Sequence, residues 1–355
     1  MRNEVVKEIS GPMSCPVPMS DYPKVLLAHG GGGRLSHELI EKLFVSNFRN
    51  DQLEELHDGA HLDINGVRLA FSTDSFVVDP LFFPGGDIGN LAVNGTVNDL
   101  AMCGAAPLYL SAAFIIEEGF SMEDLHRITR SMHDAAKKAG VKLVTGDTKV
   151  VDKGKADKIF INTSGIGMIP ETVDISPRNA RPGDKIILSG RIAEHGIAIM
   201  SVRDGLEFDC QIQSDCAPLN SLVAAMLGVS NQIHVLRDPT RGGVASALNE
   251  LAESGNVGML IHEEKIPIAE SVKGACEILG FDPLYVANEG KLLAIVEDCD
   301  AEKILHVMRT HPLGGDSAII GEVLPDNPGT VLMKSLIGGT RTVDMLSGEQ
   351  LPRIC

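Results

Sequence analysis

The sequence predicts a mixed α/β protein of two domains, joined near residue 175 and followed by a polar tail. The chain has 355 residues, more than one typical small domain needs, and 44% of them are hydrophobic, enough for a sizeable core. Segments with strand-like alternation are interleaved with segments of helical periodicity in both halves. Between the halves, the run PETVDISPRNARPGD (170–184) is polar and rich in proline, which is typical of an interdomain connection.

The first half begins with an irregular extension over residues 1–22, which has several prolines and little periodicity. We expect a helix after Ser36, because apolar residues then recur with helical spacing. Ser121, with Asp124 three residues later, predicts the start of a second helix that ends near Gly140. Alternating or apolar runs predict strands at 67–73, 107–116, 141–151 and 158–169, and we expect the second of these to be mostly buried.

The second half shows the same mixture of patterns. Strands are predicted at 186–190 and within 233–243, and helices at 217–227 and 244–253, with more of both to about residue 336. The remaining residues begin with two glycines and are largely polar, so we expect a mobile tail. The predicted segments are therefore the extension 1–22, an N-terminal domain 23–172, a C-terminal domain 173–337 and the tail 338–355.

Composition excludes several classes of protein. With 48 acidic and 31 basic residues the formal net charge is −17, which argues against nucleic-acid binding. No run approaches the about 18 apolar residues that span a bilayer, and the N-terminal MRNEVVKEIS carries charges where a secretory signal needs apolar residues. The seven cysteines form no CxxC pair, which argues against a disulfide scaffold and a structural zinc site. We expect a cytoplasmic protein that binds neither nucleic acid nor membranes.

A run of glycines precedes the first predicted helix and is a candidate phosphate-binding loop: Gly30, Gly31, Gly32 and Gly33. Consecutive glycines let backbone N–H groups approach an anion closely, and a helix N-terminus adds positive potential. The chain contains no GxxxxGK[ST] motif, and the run is not a GxGxxG that follows a strand. A flexible surface loop therefore remains the alternative.

Aspartates embedded in small or turn-forming residues are a more informative signal: Asp58 in HDGA, Asp74 in STDS, Asp99 in VNDL, Asp147 in TGDTK and Asp238 in RDPTRGG. Several follow predicted strands, so several carboxylates could converge at one edge of a sheet. Such oxygen ligands suit Mg²⁺, which commonly bridges protein carboxylates and substrate phosphates. Each aspartate alone is more often a turn residue or a helix cap. Together they predict a metal–nucleotide site of a non-Walker type.

Three other residues lie in or near such motifs. Arg241 and Lys149 could neutralise a transferring phosphate, although each could equally be an exposed or ion-paired base. Glu289, in ANEGKLL, could be a functional carboxylate or a helix cap. We expect the eleven histidines to be non-ligands, on the view that they show neither HxxxH nor HExxH spacing.

These motifs, taken together, are similar to those of the hydrogenase maturation factor HypE family. The segments that carry the resemblance are AHGGGGRLSHELI, FSTDSFVVDPLFFPGGDIGNLAVNGTVNDLAMCG, VTGDTKVV, INTSGIGMIP, RDPTRGGVA, ANEGKLL, HPLGGDSAIIGEV and the terminal PRIC. The likeness covers nearly everything from about residue 25 to 355 and extends, more distantly, to aminoimidazole ribonucleotide synthetase, selenophosphate synthetase and thiamine-monophosphate kinase. The extension 1–22, with Cys15, falls outside it.

The resemblance implies a carbamoyl dehydratase that makes the cyanide ligand of nickel–iron hydrogenase. In this reading the Cys355 thiol receives a carbamoyl group from the carbamoyltransferase HypF, and ATP drives dehydration of the thiocarbamate to a thiocyanate. Cyanide then passes to iron on a HypC–HypD scaffold complex. The resemblance also implies a homodimer formed through the N-terminal domains, which bind ATP.

The resemblance further implies roles for individual residues. We expect Asp58, Asp99 and Asp238 to hold Mg²⁺, and the glycine loop to fold over the phosphates of ATP. Asp74, Asp147 and Arg241 are expected close to the same phosphates. Lys149 and Glu289 are expected near the modified tail, one of them as the base, and which of the two is the base stays open.

Two other functions stay open at this point. One is a small-molecule kinase or synthetase of the same superfamily that acts on a free substrate and needs no cysteine at Cys355. The other is a non-catalytic scaffold that binds ATP to regulate assembly of its partners. ATP turnover by the purified protein, with and without a carbamoylated tail, distinguishes the three.

Overall fold

A computed structural model describes residues 22, 24–205, 211–348, 351 and 353–355. The predicted extension 1–22, apart from Tyr22, lies outside the described residues, as does its Cys15. The α-helices of the described chain are α1 (Arg34–Leu39), α2 (Ser46–Phe48), α3 (Ile88–Met102), α4 (Met122–Ala139), α5 (Glu194–Arg203), α6 (Asn220–Leu227), α7 (Gly243–Gly255), α8 (Glu270–Leu279) and α9 (Asp298–Thr310). The strands are β1 (Ala60–Ile64), β2 (Val67–Phe76), β3 (Phe82–Phe83), β4 (Gly86–Asp87), β5 (Ala106–Glu117), β6 (Lys142–Val151), β7 (Ile159–Met168), β8 (Lys185–Leu188), β9 (Ile233–Arg237), β10 (Gly258–His262), β11 (Leu293–Val296), β12 (Ala318–Leu324), β13 (Val331–Lys334) and β14 (Thr340–Thr342).

The N-terminal half contains a five-stranded sheet in the order β1-β2-β7-β5-β6. Its neighbouring strands are antiparallel, except for the parallel pair β5 and β6. Helix α3 packs across one face of this sheet, and α4 packs beside it. Almost every side chain of α3 is buried, because this helix is apolar or small nearly all round and lies between the sheet and the C-terminal half.

The opposite face of this sheet carries exposed apolar side chains. We call it the open face and define it by Phe71, Tyr109, Ile115, Ile166 and Met168, each between 37% and 48% exposed. Strand β6, at the sheet edge, is exposed along almost its whole length. The expectation that the strand at 107–116 is mostly buried is therefore wrong, because an apolar run does not reveal whether a second layer covers the sheet.

Helix boundaries in the N-terminal half follow local signals. The Ser121 hydroxyl accepts a hydrogen bond from the backbone N–H of Asp124, and α4 ends at Gly140 with φ of 76°. This confirms the capping signal and the glycine stop. The first helix begins at Arg34, before Ser36, and a π-helical stretch (Ile40–Val45) joins α1 to α2.

The C-terminal half is built on a seven-stranded sheet in the order β14-β13-β10-β12-β8-β11-β9. The pair β10 and β13 is parallel and the other neighbours are antiparallel. Strands β8 and β9 confirm the strands predicted at 186–190 and within 233–243, and α6 and α7 confirm the two predicted helices. Strand β9 ends at Arg237, so Asp238 lies directly beyond the sheet edge.

The two halves are joined by buried hydrogen bonds as well as by apolar packing. The Asn98 side chain, on α3, donates to the carbonyl oxygens of Ala217 and Glu289, and its own oxygen accepts from the Leu219 N–H. A single α3 residue thus fixes the chain around Glu289 relative to the N-terminal half. Within the described residues, no helix combines the length and apolar character that crossing a membrane requires.

The described part of the tail makes specific contacts with the rest of the chain, and its mobility stays a prediction. Strand β14 lies within the predicted tail and pairs with β13, so the C-terminal sheet extends past residue 337. The described terminal residues lie against the N-terminal half: the Val77 N–H donates to the Cys355 carbonyl oxygen at 3.0 Å, and Arg353 Nε donates to the Val77 carbonyl oxygen at 3.0 Å. Polar composition predicted mobility because it does not reveal these long-range contacts.

Candidate functional site

A polar cavity of about 170 Å³ lies where the two halves and the terminal residues meet, and we call it the central cavity. Both halves and the tail contribute to its wall. Its lining residues are Asp58, Thr73, Asp74, Gly95, Asp99, Asp238, Thr240, Arg241, Glu289 and Cys355. Most of the residues that sequence analysis singled out therefore share one cavity, although they are as much as 297 positions apart in the chain.

Three aspartates converge in this cavity. Asp58 precedes β1, Asp99 lies on α3 and Asp238 follows β9, and one carboxylate oxygen from each lies within 4.8 Å of the others. Asp58 Oδ1 lies 3.1 Å from Arg237 Nη1, whereas the buried Asp58 Oδ2 has no hydrogen-bond partner. Asp99 Oδ2 accepts a hydrogen bond of 2.6 Å from the Ser72 hydroxyl. Neighbouring structure thus holds the three carboxylates together.

The electrostatics of this cluster favour a bound cation. Burial raises the pKa of Asp99 well above its usual range, and the charges of Asp238, Asp74 and Asp58 raise it further. Burial and Asp58 likewise raise the pKa of Asp238, against the opposing effect of Arg237. A divalent cation would remove this repulsion and give the orphaned Asp58 oxygen a partner. The donor set consists of oxygen atoms, which fits Mg²⁺.

Asp74 and Arg241 form an ion pair on the cavity wall. Arg241 Nη2 lies 3.3 Å from Asp74 Oδ1, and Asp74 is presented by β2. Burial raises the pKa of Asp74, while the Arg241 charge opposes that shift. The guanidinium can therefore exchange its carboxylate partner for an incoming phosphate without leaving the wall.

The glycine loop lies beside the same arginine. Gly32 has φ of +72°, and a Cβ placed there would lie 2.5 Å from the Arg241 Cβ. A Cβ at Gly33 would lie 2.3 Å from the Leu346 carbonyl oxygen. These close approaches explain the need for glycine. Gly31 lines a neighbouring cavity with Arg241, and an added Cβ at Gly30 would meet open space.

The Cys355 thiol lies inside the central cavity. The residue is 7% exposed, and burial raises the pKa of its thiol to about 12, although the Arg241 charge partly opposes this. His195 Nε2 is hydrogen-bonded to the Ile354 carbonyl oxygen at 2.9 Å, and Arg203 donates to the Arg353 carbonyl oxygen at 2.9 Å. Buried backbone contacts thus seat the last residues beside the aspartates.

Glu289 lies in the same wall and is ready to accept or donate a proton. Its Oε1 is buried without a hydrogen-bond partner, and its backbone N–H donates to Asp215 Oδ1 at 3.0 Å. Burial raises the pKa of Glu289 well above its usual range, and Asp238, Asp74 and Asp215 raise it further. A carboxyl group perturbed in this way, in a cavity with a thiol, is a candidate general acid or base.

Besides the loop glycines, two residues of the predicted site, Lys149 and Asp147, do not line the central cavity. Lys149 and Asp147 lie on the exposed edge strand β6, where Lys149 Nζ contacts both Asp147 carboxylate oxygens at 2.7 Å. Their side chains are 67% and 61% exposed. Within one chain they form a surface ion pair, separate from the aspartate cluster.

Sequence reasoning missed several residues that shape the site. Thr73 and Thr240 line the cavity next to predicted aspartates, and Gly95 faces it from α3, where a Cβ would lie 2.8 Å from the Phe76 ring. His195 has a structural role that its sequence context does not indicate, because its ring holds the tail by a buried hydrogen bond. No local motif marks His195, since its partner is 159 residues away.

Two family models match the chain. They are described as AIR synthase related protein, N-terminal domain, over residues 56–169, and AIR synthase related protein, C-terminal domain, over residues 181–334. Together they cover most of the chain, and the break between them falls in the predicted interdomain connection.

Full-length relatives agree with these models. The chain is 54% identical over 333 residues to carbamoyl dehydratase HypE of Cupriavidus necator, covering 94% of this chain and 95% of the relative. A HypE structure described as a complex with HypF matches with a TM-score of 0.83 and 52% identity, over 87% of this chain and 99% of that one. Another, described as HypE in complex with ATP, matches with a TM-score of 0.79 and 51% identity, over 94% of this chain and 100% of that one. The chain therefore belongs to the HypE family of hydrogenase maturation proteins, the carbamoyl dehydratases.

Proposed function

We propose that this protein dehydrates a carbamoyl group on its own Cys355 to a thiocyanate, at the expense of ATP, and that the cyanide becomes a ligand of hydrogenase iron. The observation that carries the proposal is the composition of the central cavity. A cysteine thiol, a carboxyl group with a raised pKa and a convergent aspartate cluster line the same space. These are the carrier, the base and the metal–nucleotide clamp that the reaction needs.

The nucleotide would bind on the aspartate side of the cavity. Asp58, Asp99 and Asp238 would hold Mg²⁺, which neutralises phosphate charge when bound. Arg241 would contact the phosphates, and the loop Gly30–Gly33 would approach them with backbone N–H groups. The solved HypE relative in complex with ATP supports ATP as the nucleotide.

The chemistry starts from a poor leaving group. An amide oxygen does not depart as oxide, so the carbamoyl oxygen attacks the γ-phosphorus of ATP and releases ADP. Loss of both nitrogen protons and departure of the oxygen with phosphate then leave Cys355 as a thiocyanate. The carbamoyl group and ATP thus give thiocyanate, ADP and inorganic phosphate. The protein must position the phosphate acceptor and remove protons from nitrogen.

Glu289 is well suited to take those protons. Its unpartnered Oε1 is buried in the cavity wall that also contains the Cys355 thiol, and burial keeps its pKa above the usual glutamate range. A base with a pKa nearer the working pH transfers protons more efficiently in both directions. Lys149 would be the alternative base, or a group that orients the carbamoyl nitrogen.

Lys149 requires a second copy of the chain for either role. In one chain it belongs to the exposed edge strand β6, outside the central cavity. The open face beside β6 carries five apolar side chains that are 37–48% exposed, which is typical of a protein interface. We therefore propose a homodimer that buries the two open faces against each other and brings Lys149 and Asp147 towards the partner's nucleotide site.

Other partners follow from the chemistry. Cys355 needs a donor of an activated carbamoyl group, and the solved HypE–HypF complex supports HypF in that role. The thiocyanate needs an iron-bearing acceptor, which we propose to be a HypC–HypD complex. Both exchanges require the terminal residues to leave the central cavity and return to it.

Mass spectrometry of the intact protein tests the proposal. With HypF, a carbamoyl donor and ATP, we expect the native chain to gain a carbamoyl mass and then to lose the mass of one water. Cys355→Ala should show neither of these mass changes. The control Cys299→Ala, at an exposed position on α9, should show both, as the native chain does. Carbamoylation of the Cys355→Ala variant would show that another residue is the carrier. A rate of ATP turnover that does not depend on whether Cys355 is carbamoylated would favour a kinase or synthetase that acts on a free substrate.

A further inference from the structure

A second cluster of metal-binding side chains lies behind the aspartates, outside the central cavity. It consists of His57, His61 and Cys103, and one ligand atom from each lies within 4.8 Å of the others. His57 directly precedes Asp58, His61 is the second residue of β1, and Cys103 follows the last residue of α3. The two imidazole rings meet edge to face with centroids 5.2 Å apart. We call this set the His–Cys cluster.

The histidines of the cluster carry polar atoms with no protein partner. The Nε2 atoms of His57 and His61 are both buried without a hydrogen bond, and the His57 side chain is fully buried. His57 Nδ1 accepts from the Asp58 backbone N–H, so in neutral His57 the proton is on the orphaned Nε2. A buried donor without an acceptor is costly. The two unpartnered nitrogens and the buried Cys103 thiol are the kinds of donor atom that a metal ion would use.

A carboxylate stands behind each ring. Glu55 Oε2 lies 3.5 Å from His61 Nδ1, and Asp58 Oδ2, itself buried and unpartnered, lies 3.7 Å from His57 Nδ1. Metal-binding histidines commonly donate their second ring N–H to a carboxylate, which fixes the tautomer and makes the ring a better ligand. A cation on the two Nε2 atoms would place both ring protons on Nδ1. At His61 that proton faces Glu55 Oε2, whereas at His57 it would have to replace the hydrogen bond from the Asp58 N–H and turn towards Asp58 Oδ2. Both orphaned Nε2 atoms would gain a partner, at the cost of that one backbone hydrogen bond.

The donor set selects the metal. Two imidazole nitrogens and one thiolate suit Zn²⁺ far better than Mg²⁺, which prefers oxygen. Zinc–nitrogen bonds of about 2.0–2.1 Å and zinc–sulfur bonds of about 2.3 Å place donor atoms roughly 3.3–3.6 Å apart in a tetrahedral site. The cluster spans at most 4.8 Å, so side-chain shifts of about 1 Å close it.

We propose that His57, His61 and Cys103 form a site for Zn²⁺ or a similar borderline-soft divalent metal, with one position left for water. Binding releases the thiol proton of Cys103 to solvent and leaves a thiolate on the metal. The expectation that the histidines are non-ligands and that the chain has no structural zinc site is revised by this proposal. The basis of that expectation is wrong, because His57 and His61 do have the HxxxH spacing, while Cys103 joins them only through the fold.

The site would fix the loop that presents Asp58. Its ligands connect the segment before β1 to the end of α3, and these same two elements carry Asp58 and Asp99. The metal would thus hold two of the three aspartates in register, through residues that do not line the central cavity. This role is separate from the dehydratase chemistry and stands if that chemistry is disproved.

Cobalt(II) substitution of the full-length chain tests the site, because a cobalt–thiolate bond gives an intense charge-transfer absorption that oxygen ligands lack. The metal-stripped protein should bind one Co²⁺ with this absorption, and one equivalent of Zn²⁺ should displace it. Cys103→Ser should lose the absorption. His61→Gln, at a partly exposed position, should weaken binding at least tenfold, and Glu55→Gln should weaken it about 10–100-fold, as expected for a carboxylate behind a ligand.

Two controls keep the outcome unambiguous. Cys355→Ser should retain the absorption, since its thiol faces the aspartate cluster instead, and Cys276→Ser, at a buried cysteine elsewhere, should retain it too. Circular dichroism checks that each variant is folded. Absence of the absorption in the native chain would overturn the proposal. So would an absorption that survives in both Cys103→Ser and His61→Gln, or one that is lost only in Cys355→Ser.

Discussion

Replacing Asp99 with asparagine should stabilise the protein without metal and abolish its stabilisation by Mg²⁺ and ATP. Carboxylate oxygens of Asp58, Asp99 and Asp238 lie within 4.8 Å of one another. Two unit charges about 4.8 Å apart repel by about 3.5 kcal/mol at an effective dielectric constant of about 20, and Asp99 takes part in two of the three pairs. Asparagine keeps an oxygen for the Ser72 hydroxyl, which donates at 2.6 Å.

The expected gain is smaller than the full repulsion. Burial and the neighbouring carboxylates raise the pKa of Asp99, so protonation already relieves part of the strain. We expect the free energy of unfolding to rise by about 1–3 kcal/mol, or roughly 2–10 °C in melting temperature. A carboxyl group whose pKa is raised by folding does not lower the free energy of unfolding at a pH below its unfolded-state pKa. Its destabilising effect grows as the pH rises from there towards the folded-state pKa. The gain should therefore shrink as the pH falls towards about 4.

Thermal unfolding followed by differential scanning fluorimetry measures both effects, once in EDTA and once with Mg²⁺ and ATP. The matched control is Asp134→Asn on the exposed side of α4, which should melt like the native chain in both conditions. A lower melting temperature for Asp99→Asn in EDTA would refute the repulsion argument. Undiminished stabilisation by Mg²⁺ and ATP would remove Asp99 from the metal site.

Three further predictions concern the base, the interface and the tail. Because burial raises the pKa of Glu289, the rate of dehydration should begin to fall with decreasing pH at a pH above the usual glutamate range. Glu289→Gln should accept the carbamoyl group but form no thiocyanate. Mass spectrometry across pH checks both points, and a normal rate of thiocyanate formation in the variant would disprove the role. Phe71→Arg on the open face should convert the dimer to a monomer, as measured by light scattering, whereas the control Ile278→Arg, at an exposed position of α8, should leave the dimer intact. A Phe71→Arg variant that stays dimeric would contradict the proposed interface. Arg353→Ala removes the hydrogen bond to the Val77 carbonyl oxygen and should therefore increase the rate of alkylation of Cys355 several-fold, with the rate at Cys299 as the internal reference. An unchanged rate would mean that this contact does not hold the tail.

Local signals in the sequence predicted the elements of the fold but not their surroundings. Ser121 and Gly140 mark the ends of α4 because a side-chain cap and a left-handed stop are decided within a few residues. Whether strand β5 is covered on both faces depends on a second layer, which its own residues do not encode. The same limit explains the docked tail, since its partners, such as Val77, are far away in the chain.

The candidate site was predictable in composition and only partly in geometry. Small residues around Asp58, Asp99 and Asp238 favour turns and helix ends near a sheet edge, and the structure brings these carboxylates together. Lys149 illustrates the limit of sequence motifs. The motif around Lys149 gives its local setting, but it does not say whether the side chain lies near the cavity of its own chain or that of another copy. His195 was missed because its contact lies across the fold, whereas the His57–His61 pair has a local HxxxH spacing that was overlooked and only Cys103 joins it through the fold.

The order of events that we propose at Cys355 rests on the two environments of its thiol. Inside the central cavity, burial raises the pKa of the thiol to about 12, so the docked thiol is almost entirely protonated and weakly nucleophilic at neutral pH. In water a cysteine has a pKa of about 8.5, so carbamoylation is favoured when the tail is undocked. In the proposed reaction the thiol would therefore be loaded while the tail is undocked, and the thiocarbamate would be dehydrated in the central cavity, beside Glu289 and away from bulk water.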